Sequence, residues 1–246
     1  MIFRRLIWAA LAVALLVGSL QSGLQQLQTV PIILAAEVFE GQKVEAHDHG
    51  DAAEAWTPAD GVERQFWTWV ANVLHAFSMA LLVLAVMAVC QWRGNVLHAL
   101  PLAVWVGAAG WLSFHLWPSL GLHAEIPGMD AARLGSRQGW WVLAAGGAAL
   151  ACASVALIRR PLRWAIAVAW LALPFVVGAP HIVADPLAGF TGEAQAALRE
   201  LGRQFIWATT WLSLSFWVSM GAAAGLAFQR WLRPAVAALL ARPAFR

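Results

Sequence analysis

The chain has 246 residues, of which 61% are hydrophobic and only 12% charged, with a mean hydropathy of +0.67; a soluble domain carries about 25% charged residues, so this is the composition of a membrane protein. The net charge of +3 does not mark a nucleic-acid binder, because the basic residues sit in short clusters beside apolar runs, where membrane topology is written. Cys90 and Cys152 both lie inside apolar runs with no spacing for a disulfide or a thiolate metal site, and the hydrophilic stretches are too short for an enzyme domain.

A helix rises about 1.5 Å per residue, so crossing a ~30 Å hydrocarbon core takes roughly 20 apolar residues. Six runs qualify, near 6–36, 66–91, 95–117, 139–158, 162–180 and 204–229. The expected fold is therefore all-α: a polytopic membrane helical bundle of about six transmembrane helices, with five as the alternative, in one integral membrane domain over 1–246. The first run begins "MIFRRLIWAALAVALLVGSL", with the basic start and apolar middle of a secretory signal. It continues too long and lacks a clear small-x-small cleavage site, so it is expected to be retained, bent or interrupted by Pro31 near its outer end. Cleavage would leave five helices.

Charge orders the loops. With a cytoplasmic N-terminus the inner side receives Arg4, Arg5, Arg93, Arg159, Arg160, Arg163, Arg230, Arg233, Arg242 and Arg246, ten of the sixteen basic residues, and no acid. The outer side receives the other six and all thirteen acids, enough to draw in a cation. Both termini are then cytoplasmic, and the 37–65 loop is outside.

Several polar residues fall in or beside the apolar runs. Gln21, Gln25 and Gln28 follow i, i+4, i+7, and Ser22, Gln26 and Thr29 follow one residue on, forming a broad polar face on the first helix. Interhelical hydrogen bonding and a hydrated ion path both account for that face. Glu37 and Glu40 extend it outward. In the outer loop, "VEAHDHGD" holds His47, Asp48 and His49; an extended backbone projects i and i+2 to one side, as weak bidentate capture of a metal needs, and a solvated acidic loop reads the same way. His75 lies about nine residues into the second run, with Asn72, Ser78 and Met79 at i−3, i+3 and i+4 on one stripe. An ionisable group at that depth is a functional hypothesis by default. His115, His123 and His181 add imidazoles on the outer side, each equally readable as an interfacial histidine, while His98 near the inner end of the third run is read as structural. Imidazole and carboxylate suit borderline divalent metals without choosing among cobalt, nickel, copper and zinc.

The start through "PIILAAEVFE", the "HDHG" loop, "EAWTPADGVERQFWTWVANVL", "GLHAEIPGMDAARLGSRQGWW" and "GAPH" together resemble the CbtA family of predicted cobalt transporter subunits, from the first residues to the last run. The resemblance implies a multi-pass protein of the bacterial inner membrane that takes up cobalt, a small single-helix partner with histidines (CbtB), and cobalamin-responsive control. It implies five transmembrane segments, which places the first or fifth run in question. Cobalt is then a transported substrate and not a resident cofactor. His47, Asp48 and His49 would capture it, Glu37, Glu40, His115 and His181 would pass it on, and His75 with Gln25 would exchange it inside. No GxxxxGK[ST] loop is present, so the membrane potential, a gradient or another subunit would supply energy. Two other classes fit the residues: a haem or electron-transfer protein using His75 and His115 as axial ligands, and a non-conducting scaffold for a metal-binding partner.

Overall fold

The computed structural model describes residues 2–40, 58–95 and 97–241. Every regular element among them is helical, the all-α architecture expected. The helices are α1 (Ile2–Gln28), α2 (Val30–Glu40), α3 (Val62–Trp92), α4 (Ala99–Ser119), α5 (Leu134–Leu157), α6 (Leu162–Val177) and α7 (Gly192–Leu239). Five of these, α1, α3, α4, α5 and α7, are long and apolar enough to cross a membrane.

The fifth apolar run is the short one. With 16 residues α6 spans about 24 Å at 1.5 Å per residue, less than a typical hydrocarbon core. It stops because Gly178 takes a φ of +87°, which glycine adopts without Cβ strain, while its N–H closes the last turn on the Pro174 carbonyl at 3.0 Å. The first run divides at Thr29. Pro31 has no N–H to give to the Leu27 carbonyl one turn back, so the ladder is interrupted there. Thr29 N and Oγ1 both donate to the Gln25 carbonyl, at 3.0 and 3.3 Å, so α2 restarts at once.

The chain forms two compact units. The first takes its described residues from 2–24, 58–110 and 214–241. Here α1 and α3 meet at Gly18, where a Cβ would stand 2.7 Å from the Val73 Cα. A polar zipper flanks this contact. Trp69 Nε1 donates to Ser19 Oγ at 3.0 Å, Asn72 Nδ2 donates to Ser22 Oγ at 3.0 Å, and Ser22 donates its own proton to the Gly18 carbonyl at 2.9 Å. Both pairs are spaced i, i+3, so one face of each helix supplies the zipper. In the same unit α4 and α7 approach through Gly107 and Gly221, each lying against the other helix's backbone carbonyls. Small residues at such crossings let backbones come close in lipid, where helix association rests on packing and interhelical hydrogen bonds.

The second unit takes its described residues from 25–40 and 111–213. Ile32, Ala36 and Phe39 of α2 pack with Ile126 and Met129 of the α4–α5 connection, Leu187 and Phe190 of the α6–α7 connection, and Ala194 and Leu198 of α7. Leu187 and Leu198 are almost fully buried, each worth about 1.5–3 kcal/mol. In this unit α5 and α6 touch at Gly147, where a Cβ would stand 2.7 Å from the Trp170 carbonyl oxygen. Indoles from two helices hold α6: Trp140 Nε1 of α5 donates to Pro174 O at 2.8 Å, Trp117 Nε1 of α4 donates to Leu171 O at 3.0 Å, and both rings meet Phe175 edge-on.

Candidate functional site

In α4 the α-helical pattern is broken over Leu112–Leu116 by a π turn, closed by Trp117 N–H reaching back to the Leu112 carbonyl. The cause lies two residues on. Pro118 cannot donate to the Phe114 carbonyl and its ring crowds that turn, so the chain widens instead of bending sharply. His115 is inside the wide turn. Its Nε2 lies 3.4 Å from Thr210 Oγ1, and the Trp111 ring stacks beside it with centroids 6.2 Å apart.

His115 lines a cavity of about 630 Å³ in the second unit. His123, Gln138, Ser119 and Thr209 add polar groups to its wall, Phe114 and Trp141 add aromatic faces, and Arg137 also lines it. Arg137 bonds Glu125 at 2.6 Å, both side chains about one-third exposed, so its charge is largely offset where it meets the cavity. The Glu125–Arg137 pair also closes the connection between α4 and α5. Within it Gly121 sits under the Trp140 ring and Asp130 N–H reaches the Pro186 carbonyl at 2.8 Å.

Of the other described site residues, none is among those lining this cavity. In the first unit His75 is exposed on α3 and packs over the Phe216 ring, centroids 5.2 Å apart. Of its stripe, Asn72 is engaged with Ser22, Ser78 Oγ returns its proton to the Leu74 carbonyl at 3.1 Å, and Met79 is half-buried. The glutamine face divides: Gln21 is half-buried in the first unit, while Gln25, half-buried, and Gln28, exposed, belong to the second. Glu37 is half-buried on α2; Glu40 ends that helix. His181 is exposed in the α6–α7 connection, and His98 is exposed just before α4. His47, Asp48 and His49 lie outside the described residues. Among the described residues no three of His, Cys, Asp and Glu are grouped to hold a metal.

Sequence reasoning missed Thr209 and Thr210, which look like ordinary helical threonines, and the Glu125–Arg137 pair. The π turn had a signal in "FHLWP", a proline shortly after a polar residue in an apolar helix.

A family model described as "Probable cobalt transporter subunit (CbtA)" matches residues 3–229. The chain belongs to the CbtA family. No curated protein and no solved structure matches it. With five long apolar helices, this CbtA-family chain is a multi-pass membrane protein of a cobalt-transport family, a family of transporter subunits and not of enzymes. Two of the segments that carried the resemblance meet: Ile32, Ala36 and Phe39 of "PIILAAEVFE" share one apolar core with Ile126 and Met129 of "EIPGM". That core braces the α4–α5 connection, whose residues form part of the cavity wall.

Proposed function

We propose that this chain is the membrane subunit of a cobalt uptake system of the bacterial inner membrane, with both termini cytoplasmic, and that the His115 cavity is a station on the ion's path. The observation that carries this reading is that His115 and His123 line one cavity in a member of a cobalt transporter family. Imidazole nitrogen suits borderline divalent ions such as cobalt. Two imidazoles are fewer than the three or four protein ligands of a tight site, and conduction needs binding weak enough to release. Six waters occupy roughly 180 Å³ at about 30 Å³ each, so an ion retaining much of its hydration shell fits, with Gln138, Ser119 and Thr209 as hydrogen-bond partners for the waters.

In this reading the acidic outer residues concentrate the cation, His47, Asp48 and His49 capture it weakly, and Glu37, Glu40 and His181 lie along its approach. His75, with Asn72, Ser78, Met79 and the glutamines Gln21, Gln25 and Gln28, provides exchangeable oxygen, nitrogen and sulfur donors within the span. Cobalt is the cargo, a small single-helix CbtB subunit is the partner, and the membrane potential drives the positive ion inward at about 2.3 kcal/mol per charge per 100 mV.

The test is radioactive cobalt uptake into proteoliposomes holding this chain with CbtB. His115→Ala and His123→Ala are each expected to lower the initial rate at least about tenfold, since even residues that only orient a metal ligand cost that much when lost, while His98→Ala leaves it unchanged. Full uptake in both cavity variants would remove the cavity from the path. No uptake by folded wild-type protein under an imposed potential would favour a scaffold.

A further inference from the structure

Thr210 has one hydroxyl proton and two oxygen neighbours to account for. Its Oγ1 lies 2.7 Å from the Ile206 carbonyl oxygen one turn back in α7, and 3.4 Å from His115 Nε2. A carbonyl accepts only, so the short contact consumes the Thr210 proton; such back-bonding is the usual habit of threonine inside an apolar helix. Toward His115, Oγ1 is left with a lone pair. Two lone pairs do not bond, so the imidazole must be the donor in the longer contact.

We infer that Thr210 holds His115 in the tautomer protonated at Nε2, which leaves Nδ1 as the nitrogen that meets the metal; this rests on the cavity reading above. Neutral imidazole carries one N–H, and fixing it at Nε2 fixes the lone pair at Nδ1. Metal-ligating histidines are commonly oriented this way, the second ring nitrogen donating to an oxygen outside the coordination sphere. The remaining geometry agrees. The π turn carries the ring onto the cavity wall, and stacked Trp111 restricts its rotation. Thr210 is thus a positioning residue, acting on the metal only through His115.

The test uses the full chain in liposomes with 15N-labelled histidine, His115→Ala to assign the resonances, and zinc ion as a diamagnetic probe. In wild type, His115 is expected to show a protonated Nε2 and a bare Nδ1, and zinc should move the Nδ1 resonance. Thr210→Val keeps the side-chain shape and removes the acceptor, so the two tautomers should interchange and zinc affinity should fall roughly 10- to 100-fold. Thr210→Ser should restore both. A proton on Nδ1 in wild type overturns the inference alone. Equal weakening in the serine and valine variants also overturns it, since the hydroxyl would then be irrelevant. Zinc that leaves both His115 nitrogens unmoved overturns the cavity reading and the coordination half of the inference together.

Discussion

Gly146 and Gly147 are neighbours in α5 with opposite tolerances. A Cβ at Gly147 would press on the Trp170 carbonyl at 2.7 Å, and backbone cannot swing aside as a side chain can, whereas a Cβ at Gly146 meets nothing within 4 Å. Gly147→Ala should lower stability by about 1–3 kcal/mol through forced separation of α5 and α6. Gly146→Ala should raise it by about 0.5–1 kcal/mol through helix propensity. Thermal unfolding of the two variants in one detergent checks both signs. Acid sensitivity has a different local source. The Asp185 carboxyl accepts the Leu187 N–H at 3.0 Å and pairs with Arg199 at 2.6 Å, which together hold it below the ordinary aspartate range. Stability from this group is therefore complete above that range and is lost as pH falls through the lowered folded value. Asp185→Asn should flatten the acid side of the unfolding profile, measured as melting temperature against pH. The histidines were plain in the sequence, but their partners were not. Thr210 is 95 positions from His115, and nothing in local spacing joins them. The α1–α3 zipper was half legible: Ser22 and Asn72 stood out as polar, while Ser19 and Trp69 gained meaning only when the facing helix was known.

The elements owe their irregularities to proline. Pro31 parts α1 from α2, as its missing N–H led one to expect. The π turns were not anticipated, though they follow a shared rule: Leu112–Leu116 ends two residues before Pro118, and Phe228–Leu232 ends two residues before Pro234. In the second turn Arg233 N–H reaches the Phe228 carbonyl, as Trp117 N–H does to Leu112 in the first. Periodicity could not reveal this, because an apolar run on all sides hides a change of pitch. Pro118→Ala restores a donor for the Phe114 carbonyl and should narrow the turn, swinging His115 off the cavity wall. Zinc affinity, read by isothermal calorimetry on reconstituted protein, should fall about tenfold, the lower end of what losing the orientation of a metal ligand costs. Unchanged affinity would mean that the turn does not position the ring.

For the molecule as a whole, the open count is α6. Its 16 residues are few for a crossing, yet Arg159, Arg160 and Arg163 cluster at its start and the acidic Asp185 and Glu193 follow its end. Basic residues are retained inside, and a short span is accommodated by local thinning of the bilayer at fractions of a kcal/mol per Å. Single cysteines at positions 160 and 181, in a background with Cys90 and Cys152 replaced, should therefore react with an impermeant maleimide from opposite sides of the membrane. Labelling from the same side would make α6 a re-entrant or surface helix. Apolar run length made the helical class legible from composition alone, and charge supplied an order for the loops. How the "PIILAAEVFE" and "EIPGM" segments find each other was beyond reach, since both are short, apolar and separated by two helices.

A π turn is geometrically an α-helix carrying one residue too many. Excising one residue from such a turn makes it an ordinary one and leaves every face beyond it where it was, whereas the same excision elsewhere in a helix rotates all that follows by about 100°. Leu112–Leu116 and Phe228–Leu232 are therefore the places among the described residues where α4 and α7 carry a surplus residue, and the first of them holds His115.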